Sequence, residues 1–371
     1  MASDAEVLAM RKALRMASKG RGAAFPNPMV GAVVLDGNGV EVGDGFHRKC
    51  GEPHAETVAL AAAGDRARGG TMVVTLEPCC HQGRTGPCTE KIIGAGISRV
   101  VVAMQDPDPR VHGGGIRALE EAGIDVETGI LAERAAELNR FYLHYVRTGR
   151  SWVTLKLALS LDGRVAAADG GSRWISCEES RKTVHKKRAS VSAVMTGAGT
   201  VRRDDPRLTA RDLPFPLCEQ PARVVVTGSG DLGDPKRFLS APGRIIIALP
   251  RGAGDLPEII RGRSDLEIWE LPKDSRGGVD LRELLARTAS RGMGEVLCES
   301  GPGLAANLMI EGLVDSVMFF TAPILMGNGG VPAIGDLGVR SMDGAIRLRG
   351  VRRRRIGTDQ LTEGEIVHGS D

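Results

Sequence analysis

Aromatic residues are scarce in this chain: Trp, Tyr and Phe together make up 3% of its 371 residues. Aliphatic side chains must therefore supply most of the core. Little is left for stacking on the bases of a single-stranded nucleic acid. No stretch approaches the ~20 consecutive apolar residues with which a helix crosses a bilayer, which argues against a membrane protein. The first residues, MASDAEVLAMRKALRMASKG, mix charge with apolar positions at helical spacing and have no apolar segment of the secretory kind. A cytoplasmic location is expected. A net charge of +3 is too small to imply a polyanionic partner. Fixed-period repeats and long low-complexity linkers are also missing, which argues against a repeat array.

What is present is ordinary globular composition, 42% hydrophobic and 26% charged, in a chain long enough for two domains. The first ~150 residues alternate helix and strand patterns. Residues 4–19 read as an amphipathic helix and 30–35 (VGAVVL) as a strand ending in the turn DGNG. Residues 53–64 (PHAETVALAAAG) read as a helix with Pro53 in its first turn and Gly64 at its C-cap. Strands follow at TMVVTLE, RVVVAM and DVETGI, and helices at CTEKIIGAG, GIRALEEAG and, as one long element, AERAAELNRFYLHYVRTG. A new strand pattern begins at SWVTLKLALSLDGRV, so the expected domains are 1–148 and 149–371. The second half again alternates, with the proline-rich DLPFPLCEQPAR read as a loop. Both halves are α/β.

Seven cysteines lie at 50, 79, 80, 88, 177, 218 and 298. The dispersed Cys177, Cys218 and Cys298 read as small buried hydrophobes. The cluster EPCCHQGRTGPC (77–88) is different, because clustered cysteines in a reduced compartment more often bind metal or do chemistry. Upstream lies Pro53-His54-Ala55-Glu56. A zinc-deaminase signature is H-x-E followed by P-C-x-x-C, with the glutamate as proton shuttle. His54-Ala55-Glu56 and Pro78-Cys79 match it, whereas the second cysteine is displaced to Cys88. On a helix, His54 and Glu56 point roughly 200° apart. Both can serve one metal only if it lies beyond the helix N-terminus. Pro78 suggests that Cys79 likewise opens a helical turn, where the helix dipole favours thiolate. His54, Cys79 and Cys88 would then leave a fourth position for water, the catalytic pattern, with Glu56 moving the proton. Cys80, adjacent to Cys79, reads as a bystander, Cys50 as a loop residue, and His81 as a support or a substrate contact.

The segments PNPMVGAVV (26–34), HAE (54–56) and EPCCHQGRTGPC (77–88) resemble the deaminase half of the bifunctional riboflavin-biosynthesis deaminase–reductases. That family's pattern is P-C-x-H-x-G-R-T-x-P-C. Gly86 stands where many relatives carry proline, which leaves the ligands untouched. LKLALSLDGRVA, SRWIS, GAGTVRRDDPRLTAR and ESGPGLAANLM resemble the reductase half in the family's order. The resemblance implies a cytidine-deaminase-like α/β/α domain followed by a dihydrofolate-reductase-like α/β domain, using Zn2+ and NADPH. It implies deamination of 2,5-diamino-6-(5-phosphoribosylamino)pyrimidin-4(3H)-one, then reduction of the product's ribosyl group to ribityl. It also implies a homo-oligomer acting on small phosphoribosyl pyrimidines. By the same resemblance Ala158, Trp174, Thr200 and Asp204 would touch NADPH. Gly301, Pro302, Gly303, Leu304, Ala305, Ala306 and Asn307 would line its phosphates. Lys156, Ser172, Arg188, Leu208, Arg211 and Glu299 would hold substrate.

Read on their own residues, GAGT (197–200) and GPGLAAN (301–307) are Gly-rich turns between a strand and a helix. They are suited either to phosphate or to an ordinary turn. Lys156 interrupts an apolar strand and would be costly facing inward without an anion; on a wet face it needs none. Six arginines in RLRGVRRRRIG (347–357) are the best sign of nucleic acid, but no interleaved aromatics accompany them, and no nucleic-acid partner is expected. Two other functions compete: a nucleobase deaminase fused to a binding module, and a non-catalytic protein with structural zinc. The first predicts shorter cysteine spacing. The second predicts a fourth protein ligand or a missing Glu56.

Overall fold

The computed structural model describes residues 2–81, 86–217, 219–253, 258–261 and 263–368. Cys218 and the Gln82–Thr85 part of the cysteine cluster lie outside the described residues. The chain forms two compact units, Met1–Gly149 and Arg150–Asp371.

In the first unit the strands β1 (Gly31–Leu35), β2 (Glu41–Phe46), β3 (Thr71–Val74), β4 (Arg99–Val102) and β5 (Asp125–Thr128) form one sheet in the order β2-β1-β3-β4-β5. Only the pairs made by β1 are antiparallel. Alternate residues feed two apolar layers. Val34, Met72 and Val100 face one layer with Ala59 and Ile92; Val33, Val73 and Val101 face the other with Met10 and Ala13. The sheet is thus an α/β/α sandwich. Helix α1 (Asp4–Ala17) starts at a capping box in which Ser3 Oγ accepts from Glu6 N–H and Ser3 N–H donates to Glu6 Oε2.

Helix α2 (Ala55–Ala63) lies directly on β2. A Cβ at Gly43 would sit 2.4 Å from Ala59 O, and one at Gly45 2.6 Å from Ala55 O. On the opposite face a Cβ at Gly31 would sit 2.1 Å from Ala13 O of α1. Strand β2 was not expected from EVGDGF, because glycines ordinarily weaken strands. Here they are what lets helix backbone meet sheet backbone. His54 is the N-cap of α2, so Pro53 precedes the helix rather than opening it.

Helices α3 (Cys88–Gly94) and α4 (Gly114–Glu121) follow. The single helix expected over 132–149 is instead two, α5 (Ala132–Leu138) and α6 (Arg140–Thr148), with Asn139 between them. Asn139 is buried and turns its amide on another segment. Its Oδ1 accepts from Met29 N–H at 2.8 Å and its Nδ2 donates to Met29 O at 2.9 Å.

Among the described residues the second unit holds nine strands in one sheet: β6 (Trp152–Ser160), β8 (Ala193–Gly197), β9 (Ala222–Val226), β10 (Ile245–Pro250), β11 (Leu266–Leu271), β12 (Glu295–Cys298), β13 (Ser316–Ala322), β15 (Leu348–Ile356) and β16 (Asp359–Ile366). The order is β11-β10-β9-β8-β12-β6-β13-β16-β15, and β7 (Arg164–Ala166) pairs separately with β14 (Val331–Pro332). Strands β11 through β13 of that order are parallel; the β15–β16 hairpin is antiparallel. Val153, Val224, Ile246, Val296 and Trp269 pack one face, and Val194, Val225, Ile247 and Leu297 the other. Helix α7 (Glu178–Arg188) precedes β8, and α8 (Ala198–Asp204) leaves it; a further helix, Pro302–Ile310, follows β12. The arginine run forms β15, at the sheet edge. No helix among the described residues is long and apolar enough to cross a membrane.

Because the α2–β2 contact has no room for a methyl group, Gly45→Ala should destabilise the first unit by about 1–3 kcal/mol. Gly37→Ala, whose nearest neighbour would be 3.9 Å away, should not. Thermal unfolding of the two variants tests this; equal midpoints would disprove the packing argument.

Candidate active sites

In the first unit, the N-cap of α2, the loop after β3 and the start of α3 bring three donors together. His54 Nδ1 lies 3.3 Å from Cys88 Sγ and 3.5 Å from Cys79 Sγ. The three ligand atoms fall within 4.8 Å of one another, and this is the one such cluster among the described residues. Two sulfurs and an imidazole nitrogen around tetrahedral zinc would be spaced by about 3.5–3.8 Å, given ordinary Zn–S and Zn–N lengths, so the donor set fits zinc. Cys50 and Cys80 stand outside it. A Cβ at Gly114 would meet Cys80 Sγ at 2.9 Å, which marks the neighbour on which that thiol packs.

One local expectation is corrected. Cys79 does not open a helix; Cys88 does. Cys79 Sγ nevertheless receives the first amide of that helix, Cys88 N–H, at 3.4 Å. The Cys79 thiol is drawn down to about 4, chiefly by the hydrogen bond from Cys88, with burial opposing and His54 assisting. Cys88 is pushed up by the same bond and by burial. His54 is raised, first by its bond to Cys79. Glu56, in the first turn of α2, is 3% exposed, and burial raises its carboxyl.

His47, which the sequence places near the site without a role, meets the ring of His54 edge to face, centroids 5.3 Å apart. It is buried, and burial lowers its pKa. Its partners define the neutral tautomer: Nδ1–H donates to Pro53 O (3.2 Å), and Nε2 accepts from Asn27 Nδ2 (3.1 Å). His81 Nδ1 is buried without a hydrogen-bond partner among the described residues.

In the second unit a cavity of about 570 Å³ opens at the carboxyl ends of β8 and β12, where the strand order reverses direction and α/β sheets ordinarily bind ligands. Its walls include Lys156, Ala158, Ser172, Trp174, Arg188, Thr200, Asp204, Arg211, Glu299 and Gly301–Leu304. Four expected residues are not on that wall. Leu208, Ala305 and Ala306 are buried apolar side chains, and Asn307 lines a separate 200 Å³ cavity beside Thr227 and Gly228. Arg181, His185, Arg203 and Ser300 line the main cavity and were not anticipated; single polar residues on helices carry no pattern that reveals them. The helices entering from Gly197 and Gly301 have no side-chain cap. Their amides are therefore available to phosphate, which suits a dinucleotide.

Lys156 does face inward, and its anion is Glu299, 3.6 Å away. Arg188 closes a fork on the same carboxylate, Nε at 2.6 Å and Nη2 at 3.0 Å, while its Nη1 donates to Thr209 O. Burial alone would raise Glu299, but Arg188 and Lys156 outweigh it and hold the carboxyl at about 2. Burial lowers Lys156, and burial with Arg188 brings His185 to about 4, leaving that ring neutral near pH 7. Exposed Trp174 carries the Arg181 guanidinium 4.6 Å above its ring. Cations outnumber carboxylates on this wall, which favours an anionic ligand.

Residues 3–104 match the cytidine and deoxycytidylate deaminase zinc-binding region, and residues 151–362 the RibD C-terminal domain. Riboflavin biosynthesis protein RibD of Aquifex aeolicus is 38% identical, over 94% of this chain and 95% of its own length. That of Mycobacterium tuberculosis is 40% identical, over 95% of each. This chain belongs to the RibD family, the bifunctional deaminase–reductases of riboflavin biosynthesis. A solved structure of Acinetobacter baumannii RibD aligns with a TM-score of 0.84 at 33% identity, covering 98% of this chain and 99% of that one. A Thermotoga maritima structure described as a diaminohydroxyphosphoribosylaminopyrimidine deaminase/5-amino-6-(5-phosphoribosylamino)uracil reductase aligns at 0.80, with 32% identity over 98% and 99%. As a RibD, the chain is an enzyme of small molecules that joins a zinc-binding deaminase-like unit to an NADPH-type reductase unit.

Removing Glu299 would leave Lys156 and Arg188 buried without their anion. Glu299→Ala should therefore lose about 3–5 kcal/mol of stability. The folded carboxyl lies below its ordinary value, so its stabilisation is complete above that value and fades as pH falls through it towards 2. Acid unfolding of Glu299→Gln should accordingly be flatter than wild type below pH ~5. Superimposable acid limbs would refute the ion-pair account.

Proposed function

We propose that residues 1–148 are the deaminase domain and 149–371 the reductase domain. The first takes 2,5-diamino-6-(5-phosphoribosylamino)pyrimidin-4(3H)-one; the second reduces the ribosyl group of 5-amino-6-(5-phosphoribosylamino)uracil to ribityl. The observation that carries the reading is the meeting of His54, Cys79 and Cys88 beside a buried Glu56. These three residues would hold zinc, which when bound supplies the Lewis acidity that lets water attack the ring carbon near neutral pH. Glu56 takes a proton from the attacking water and passes it to the ring nitrogen, then carries the remaining hydroxyl proton to the amino group, so that the water oxygen stays on the ring as the carbonyl and the amino group leaves as ammonia. Its burial, from which bulk water is excluded, suits a group that must hold that proton for part of the cycle. His47 holds the His54 side of the site by packing on that ring.

In the second domain the N–H groups of Gly197–Thr200 and of Gly301, Gly303 and Leu304 would hold the NADPH phosphates. NADPH when bound supplies hydride to the sugar carbon. Trp174 and Asp204 would flank it, and Ser172, Arg188 and Arg211 would hold the substrate phosphate. The Glu299 carboxylate fixes the Lys156 ammonium and the Arg188 fork, so neither has to be ordered when substrate arrives. We further take the protein to work in the cytoplasm, where thiols stay reduced, and as a homo-oligomer. The edge strand β15, with Val351 exposed on it and Ile346 exposed just before it, offers a pairing surface. Light scattering should return a mass above the 39.2 kDa of one chain; a monomer at all concentrations would remove this part.

Two variants test the deaminase roles. Glu56→Gln should lower deamination by about 10²–10⁴-fold while sparing reduction of supplied aminouracil. Cys88→Ser should also lower the zinc content. Normal deamination by Glu56→Gln would overturn the assignment of the proton shuttle.

A further inference from the structure

The residue before the Pro78–Cys79 pair carries a buried carboxylate that neither reaction uses. Glu77 is 4% exposed. Its Oε1 accepts from the N–H groups of Gly115 (2.9 Å) and Ile116 (3.1 Å). Its Oε2 accepts from those of Gly113 (3.1 Å) and Asp106 (3.2 Å). Four amides thus answer one charge, two of them from the first turns of α4 and one from the residue before it. The backbone of Glu77 is tied as well, its N–H donating to Met104 O at 3.0 Å. The fit is close on the other side too. A Cβ at Gly115 would lie 2.0 Å from Pro78 O, so α4 is pressed on the peptide that leads into Cys79. Proline has a fixed φ, and a shift at Glu77 would pass through Pro78 to the Cys79 sulfur rather than be absorbed.

We propose that Glu77 is a positioning residue for the zinc site. By gripping segment 106–116 it sets the Cys79 sulfur at the right distance from His54 Nδ1 and Cys88 Sγ. The inference rests on the zinc reading of that cluster. The requirement is for a carboxylate rather than for a polar side chain. Glutamine offers one oxygen, enough for two of the four N–H groups, and turns its own N–H2 on the other two. Aspartate keeps the charge but falls one methylene short of spanning both pairs.

The test uses full-length protein, loaded with zinc or with Co2+ as a spectroscopic reporter. Glu77→Gln should release zinc to a chelator about 10- to 100-fold faster than wild type, the usual penalty for losing an outer partner of a metal ligand. Its Co2+ protein should show altered thiolate-to-metal and d–d bands. Deamination kcat should fall while KM stays near wild type, and reductase activity should be retained. Gly115→Ala, which pushes on Pro78 O from the other side, should move the same readouts, and Glu77→Asp should fall between. Wild-type zinc release and Co2+ spectra in Glu77→Gln and Gly115→Ala, even with lowered thermal midpoints, would overturn the proposal and leave Glu77 a residue of the fold alone. Absence of tightly bound zinc in the wild type would instead sink the zinc reading itself.

Discussion

Backbone lying directly on backbone is the constraint on which the first site depends. Helix α2 can approach β2 as it does only because Gly43 and Gly45 present no side chain to it, and α1 approaches β1 across Gly31 in the same way. The approach sets how far the α2 N-terminus stands above the sheet, and therefore where His54 and Glu56 stand. Cys79 and Cys88 come from separate segments that reach the same point from β3 and α3. A donor triangle with edges of 3.3 and 3.5 Å about His54 Nδ1 leaves little slack for a looser helix–sheet contact.

The second unit solves a different problem, that of keeping cations inside an apolar strand region. Lys156 on β6 and Arg188 on α7 share the carboxylate that follows β12. The arrangement neutralises charge that burial would otherwise suppress, and it also orients two donors towards the cavity before any ligand enters. The cavity keeps an excess of positive charge because Arg181, Arg203 and Arg211 are also on its wall.

Much of this was legible in the residues, and what was not has definite causes. Most of the strands and helices of the first half followed from periodicity, and His54, Cys79 and Cys88 were visible as a constellation because ligand chemistry restricts residue types. Strand β2 was missed because its glycines look like a turn until the helix they accommodate is known. The break at Asn139 was missed because a helical pattern says nothing of a side chain claimed by Met29. Cys79 was expected at a helix start on the strength of Pro78. Instead the helix begins at Cys88 and serves the Cys79 sulfur through its first amide. In the reductase half, motif similarity drew the loop 301–307 as one binding surface. The helix that begins at Pro302 turns Ala305 and Ala306 into the core after a single turn, so only its leading residues reach the cavity.

Asn139 has a consequence for where the deaminase half can be cut. The matched zinc-binding region ends at residue 104, yet Asn139 pins the backbone at Met29, and Tyr142 bonds Asp106 at 2.8 Å, the residue whose amide meets Glu77. The segment that leaves the catalytic module thus doubles as its last fastening. An excised module that ends before Asn139 would keep His54, Cys79 and Cys88 and lose both fastenings, at Met29 and at Asp106.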